Sequence, residues 1–99
     1  MNKEEALKLC DDLWELVGRG PGAEPEALRK VDSIVNSLRW HSQSTSYLQE
    51  KAGTVGHDFQ IWLSPRKWMK YGAAGEFRSS LYGSILKLKG AIETGHGPR

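Results

Sequence analysis

The sequence predicts an all-α fold, a small bundle of three principal helices plus one short helix with an extended linker. Two observations carry this: three stretches repeat apolar side chains at helical spacing, and clusters of glycine and proline separate them. At 99 residues the chain has room for one domain, residues 1–99. With 38% hydrophobic and 26% charged residues it has the balance of an ordinary soluble globule.

Residues 3 to 17 place Ala6, Leu9, Cys10, Leu13, Trp14, Leu16 and Val17 on one broad stripe, as a core-facing helix requires. Gly18, Gly20, Pro21 and Gly22 stop it, and Pro25 suits the first turn of the next helix. That second helix is expected to run from Pro25 to Ala52, with Ala27, Val31, Ile34, Leu38, Thr45, Leu48 and Ala52 on one face. His41, Ser42 and Thr45 interrupt its apolar stripe. Ser46 with Gln49 matches a capping box that would start a new helix near Tyr47, but continuity is the expectation.

Gly53 and Gly56 are read as the end of this helix. From His57 to Leu63, apolar Phe59, Ile61 and Leu63 alternate with Asp58, Gln60 and Trp62, which suggests an extended linker over Gly53 to Leu63. Ser64 and Pro65 open a short helix to Tyr71, and Gly72 and Gly75 separate it from the last helix. There Phe77, Leu81, Ile85, Leu88 and Ile92 form a core stripe. Gly95, Gly97 and Pro98 read as a frayed, solvated tail.

The net charge of +2 conceals an uneven distribution. Residues 1 to 58 carry seven Lys or Arg against ten Asp or Glu, or −3; residues 59 to 99 carry seven against two, or +5. A basic second part suits an acidic partner. The single cysteine, Cys10, excludes an internal disulfide and fits a reducing compartment. The charged opening residues and the lack of a membrane-length apolar run make cytoplasmic residence the expectation.

Catalytic and cofactor signatures are weak. Ser64 with Lys67, and again Ser84 with Lys87, form S-x-x-K pairs without the companion motifs of enzymes that use them. His41, His57 and His96 do not combine with Cys10 or with acids at metal-ligand spacing. Gly18 to Gly22 lacks the Lys-Ser/Thr ending of a phosphate loop. No enzyme activity, cofactor or metal is therefore expected.

Binding residues are the stronger signal. Trp62, Trp68 and Tyr71 stand with Arg66, Lys67 and Lys70, a combination suited to gripping a protein with an acidic patch. The same rings and bases would serve a small nucleic-acid-binding protein, although the set is lean for that task. The competing reading makes Trp62 and Trp68 core residues that close the bundle. Trp40 and Tyr47, seven residues apart, would share the outer face of the long helix. Gly83, Leu86 and Gly90 lie opposite the core stripe of the last helix, where glycine invites close approach by another helix. Together these two faces predict a homodimer. The functional expectation is a non-enzymatic protein-binding module: an adaptor, regulator or inhibitor.

Overall fold

A computed structural model describes residues 1–19, 25–64 and 74–99, and every regular element among them is helical. Helix α1 spans Lys3–Gly18, α2 Pro25–Arg39, α3 Ser46–Trp62 and α4 Ala74–Glu93. The short helix expected over Ser64 to Tyr71 falls almost wholly outside the described residues.

Helices α1 and α3 open on a capping side chain, and each helix buries one face. At the start of α1, Asn2 Oδ1 accepts the Glu5 backbone N–H at 2.8 Å, and Glu4 and Glu5 complement the positive helix end. Ala6, Cys10, Leu13, Leu16 and Val17 face the core as their spacing predicts. Trp14 departs from that stripe: it is 40% exposed and rests on Tyr82 of α4, with ring centroids 4.1 Å apart. Helix α2 buries Val31, Ile34, Val35 and Leu38.

The long helix expected to Ala52 is instead two helices. Trp40 N–H makes the last helical bond, to Asn36 O, and the following polar residues then take over the backbone. Ser44 Oγ donates to Leu38 O at 2.5 Å, while the Gln43 N–H donates to His41 Nδ1 at 3.1 Å. Such side-chain bonds offer the backbone an alternative to the helical ladder, which is why polar runs end helices. Thr45, extended at φ −77° and ψ 167°, caps α3 by accepting the Leu48 N–H at 3.4 Å. The new helix thus starts one residue before the Ser46–Gln49 box would place it. A straight helix of 28 residues would also be about 42 Å long, more than the 37 Å longest dimension of the molecule.

Gly53 and Gly56 lie inside α3, so the expected linker from Gly53 to Leu63 is helix almost to its end. A β-carbon on Gly56 would stand 3.2 Å from Val35 Cγ1, and one on Gly53 would stand 3.6 Å from the Arg39 guanidinium carbon. The two glycines are where α2 approaches α3 closely, and that packing offsets their poor helix propensity. Downstream, Ala52, Val55, Phe59 and Trp62 make the buried stripe at helical spacing.

In α4, Leu81, Ile85, Leu88, Ala91 and Ile92 enter the core. The helix begins at Ala74, so Gly75 sits in its first turn rather than before it. Its C-terminus is closed by two bonds, His96 N–H to Ala91 O at 3.0 Å and Gly95 N–H to Ile92 O at 3.2 Å, with Gly95 at φ +88°. This is the Schellman arrangement, and the positive φ explains glycine at that position.

The tail expected to fray is docked. Gly97 and Pro98 are buried, Thr45 N–H donates to His96 O at 2.8 Å, and Arg99 N–H donates to Gln43 Oε1 at 3.1 Å. Contacts between ends fix the direction of every helix. Lys3 Nζ reaches Glu93 O, Trp62 stacks on Phe77, and Arg39 and Val35 meet Gly53 and Gly56 in turn. The described helices therefore run up, down, up and down, with α3 between α2 and α4 and with α1 against α4 and, more lightly, α2.

Candidate interaction surfaces

Three clusters of exposed or unfilled side-chain positions lie on the outside of this bundle. The first runs along α1 and α4. Trp14 and Tyr82 stack at one end, Leu86 stands 54% exposed, and a groove of about 180 Å³ is lined by Cys10, Asp11, Trp14, Ile85, Leu86 and Lys89. On the same outer side of α4, added β-carbons at Gly83 and Gly90 would meet nothing within 4 Å. Projecting and empty positions thus alternate on one surface. Lys89 and Asp11 face each other across the groove at 3.9 Å, a long and largely solvated pair that contributes little to stability.

Cys10 lies at the groove wall, nearly inaccessible to solvent. Burial, reinforced by the Asp11 carboxylate, pushes its thiol up to about 12. A thiolate is the reactive form of cysteine, so this thiol is suited to packing rather than nucleophilic attack.

The second cluster joins α3 to the docked tail. Tyr47 is 47% exposed, its ring 4.8 Å from that of His96 and 5.1 Å from Lys51 Nζ. The His96 Nδ1 is 3.2 Å from Thr45 Oγ1. At the third cluster, on the seam between α2 and α3, Trp40 is 66% exposed with the Arg39 guanidinium 4.9 Å from its ring. The break after α2 means that Trp40 and Tyr47 do not share the face of one continuous helix.

Among the expected partner-binding residues, Trp62 is fully buried, so it belongs to the core and not to a surface grip. Phe77 stacks on it with centroids 6.2 Å apart, and the Arg78 guanidinium lies 5.5 Å from its ring. Its position follows from helical continuation of α3, since an extended segment would have turned it away from Phe59. Arg66, Lys67, Trp68, Lys70 and Tyr71 fall outside the described residues. Of the residues expected to self-associate, Trp40, Tyr47 and Leu86 are exposed, and added β-carbons at Gly83 and Gly90 would meet nothing within 4 Å.

Ser64 donates its backbone N–H to Ile61 O at the end of α3, and Lys67 lies outside the described residues. Ser84 Oγ lies 2.7 Å from Asp58 Oδ2, to which it donates, rather than being paired with Lys87. No group of three or more potential metal ligands gathers among the described residues. No family model matches the chain, and neither a curated protein nor a solved structure matches it significantly.

Proposed function

We propose that this chain is a non-enzymatic protein-binding module, an adaptor, regulator or inhibitor, that pairs with a second copy of itself. The observation that carries the reading is the α1–α4 surface, where exposed Trp14 and Leu86 alternate with the groove and with the open positions at Gly83 and Gly90. Large apolar projections beside recesses suit a packed interface, and a two-fold axis lets one surface supply both halves. Charge fits the same reading. Asp11 and Glu15 lie on α1 and Lys87 and Lys89 on α4, so a second copy can present bases to acids in both directions.

Arg66, Lys67, Trp68, Lys70 and Tyr71 supply the contact to an acidic protein partner. Their bases orient the approach and their rings provide the anchors. The setting we propose is cytoplasmic, in keeping with a single buried thiol; among the described residues no helix is long and apolar enough to cross a membrane.

Sedimentation velocity tests the pairing. Wild type should form dimers at micromolar concentration, and Gly83→Leu should be monomeric with unchanged helical circular dichroism, because the added side chain projects into the open space against which a second copy would pack. A wild type that stays monomeric at several hundred micromolar sinks the pairing. Oligonucleotide titration tests the class of partner: binding that persists at physiological salt and vanishes in Arg66→Glu/Lys67→Glu would replace the protein partner with nucleic acid.

A further inference from the structure

The seam between α2 and α3 ends in a cation that the bundle positions but does not neutralise. Arg39 is the last residue of α2, and its side chain is half-buried. Its Nε is closed off from water and has no hydrogen-bond acceptor among the described residues. Packing holds it instead. The guanidinium lies over Gly53, 3.6 Å from where a β-carbon would stand, and 4.9 Å from the centre of the Trp40 ring.

Neither the α3 backbone at Gly53 nor the face of an indole replaces a carboxylate. The ion pairs among the described residues are Arg19 with Glu15 and Lys89 with Asp11. Glu50, one turn before Gly53, makes no ion pair with Arg39. The guanidinium is therefore pre-positioned, its terminal amino groups are without a carboxylate, and the most exposed tryptophan among the described residues lies beside it.

We infer that Arg39 and Trp40 form a carboxylate-binding site for an acidic side chain of a protein partner. A Glu or Asp accepts from the two terminal amino groups, and an apolar neighbour in the partner rests on the Trp40 indole. Arginine suits this task because its planar fork matches the two carboxylate oxygens, and arginine beside tryptophan is a composition concentrated at interface anchors. Holding the side chain before binding reduces the ordering cost that a free arginine would incur. The inference rests on the protein-binding reading, but at a surface separate from the α1–α4 face.

The test is a nuclear magnetic resonance titration that follows the Arg39 Nε–Hε and Trp40 indole N–H signals. The probe is a blocked hexapeptide of alternating Leu and paired Glu, with its Gln counterpart as control. The acidic peptide should shift both signals saturably, and the Gln peptide should bind about tenfold more weakly or less, since it lacks the charge. Arg39→Lys should weaken the acidic peptide about fivefold or more through loss of the fork, and Trp40→Ala should do so about threefold or more through loss of the apolar contact. Thermal melting checks that each variant folds, and either variant alone suffices.

Absence of saturation, or equal response to the Gln peptide, overturns the inference. So does a single-stranded oligonucleotide that shifts the same signals at lower concentration than the peptide, because the site would then read phosphate. Because Gly83→Leu does not touch this corner, failure of dimerisation with an intact peptide response, or the reverse, separates the two readings.

Discussion

Replacing Gly53 and Gly56 by alanine, one at a time, should move stability in opposite directions although the two sites are three residues apart in the same helix. Both gain helix propensity, about 0.8 to 1.0 kcal/mol relative to glycine. At Gly53 the new methyl makes an ordinary contact with the Arg39 guanidinium at 3.6 Å, so most of that gain survives. At Gly56 the methyl would stand 3.2 Å from Val35 Cγ1, with Cγ2 at 3.7 Å and Cβ at 3.8 Å. Val35 is buried and β-branched, so it cannot rotate aside cheaply, and the α2–α3 seam must open slightly.

Overpacking of this kind costs about 1 to 3 kcal/mol, which turns the gain at Gly56 into a net loss of up to about 2 kcal/mol. With an unfolding entropy of about 0.2 kcal/mol/K for a chain of this size, each kcal/mol moves Tm by about 5 °C. Gly53→Ala should therefore melt about 3 to 5 °C above wild type, and Gly56→Ala up to about 10 °C below it. The assay is thermal unfolding followed at 222 nm, with urea unfolding as a check. Two equal increases would show that α2 does not meet α3 at Gly56; two decreases would show that this segment is not helix.

Cys10 should make stability fall with pH in the alkaline range. Its pKa is raised from 9.0 to about 12 in the fold, so the folded chain keeps a proton that the unfolded chain releases. The resulting stabilisation is fully present below pH 9 and is lost between pH 9 and about 12. Wild type should consequently lose about 1.4 kcal/mol relative to Cys10→Ala between pH 8 and pH 10 in urea unfolding, and parallel profiles for the two proteins would refute this. The docked tail predicts that Gly95→Ala costs about 1 to 2 kcal/mol, because a left-handed backbone strains any side chain. Gly97→Val should cost about 1 to 3 kcal/mol by pressing on buried Leu48; unchanged melting of both would show that the tail does not dock.

The legible parts of the fold are those whose cause lies within a few residues of the effect. The stripes of α1 and α4 repeat at helical spacing, and their core positions, Trp14 apart, follow directly. Gly53 and Gly56 mislead because the cost of glycine in a helix is local whereas the reason for it here is across the seam, in Val35 and Arg39. The same applies to Gly97, whose neighbour Leu48 belongs to another helix. Ala52, Val55, Phe59 and Trp62 do carry a helical signal, but the two glycines and the alternation from Asp58 to Leu63 compete with it. At the turn from His41 to Thr45 the polar interruption was visible; that Ser44 and His41 would capture backbone groups was not. The open face at Gly83, Leu86 and Gly90 was legible from position alone, while Arg39 was not, since an arginine at a helix end has no pattern until its neighbours are in place.

The docked tail also sets an order of events during synthesis. The turn between α2 and α3 is completed by bonds from Thr45 to His96 and from Gln43 to Arg99, 51 and 56 residues further along the chain. At about 5 to 20 residues per second, the turn waits roughly 3 to 10 s after its own translation before its last partners exist. During that interval the α2–α3 hairpin has its seam but not its clasp. Leu48 lacks the cover of Gly97, and Tyr47 lacks the neighbouring His96 ring. The nascent chain therefore presents to its surroundings a corner that residues 96–99 close once they have been made.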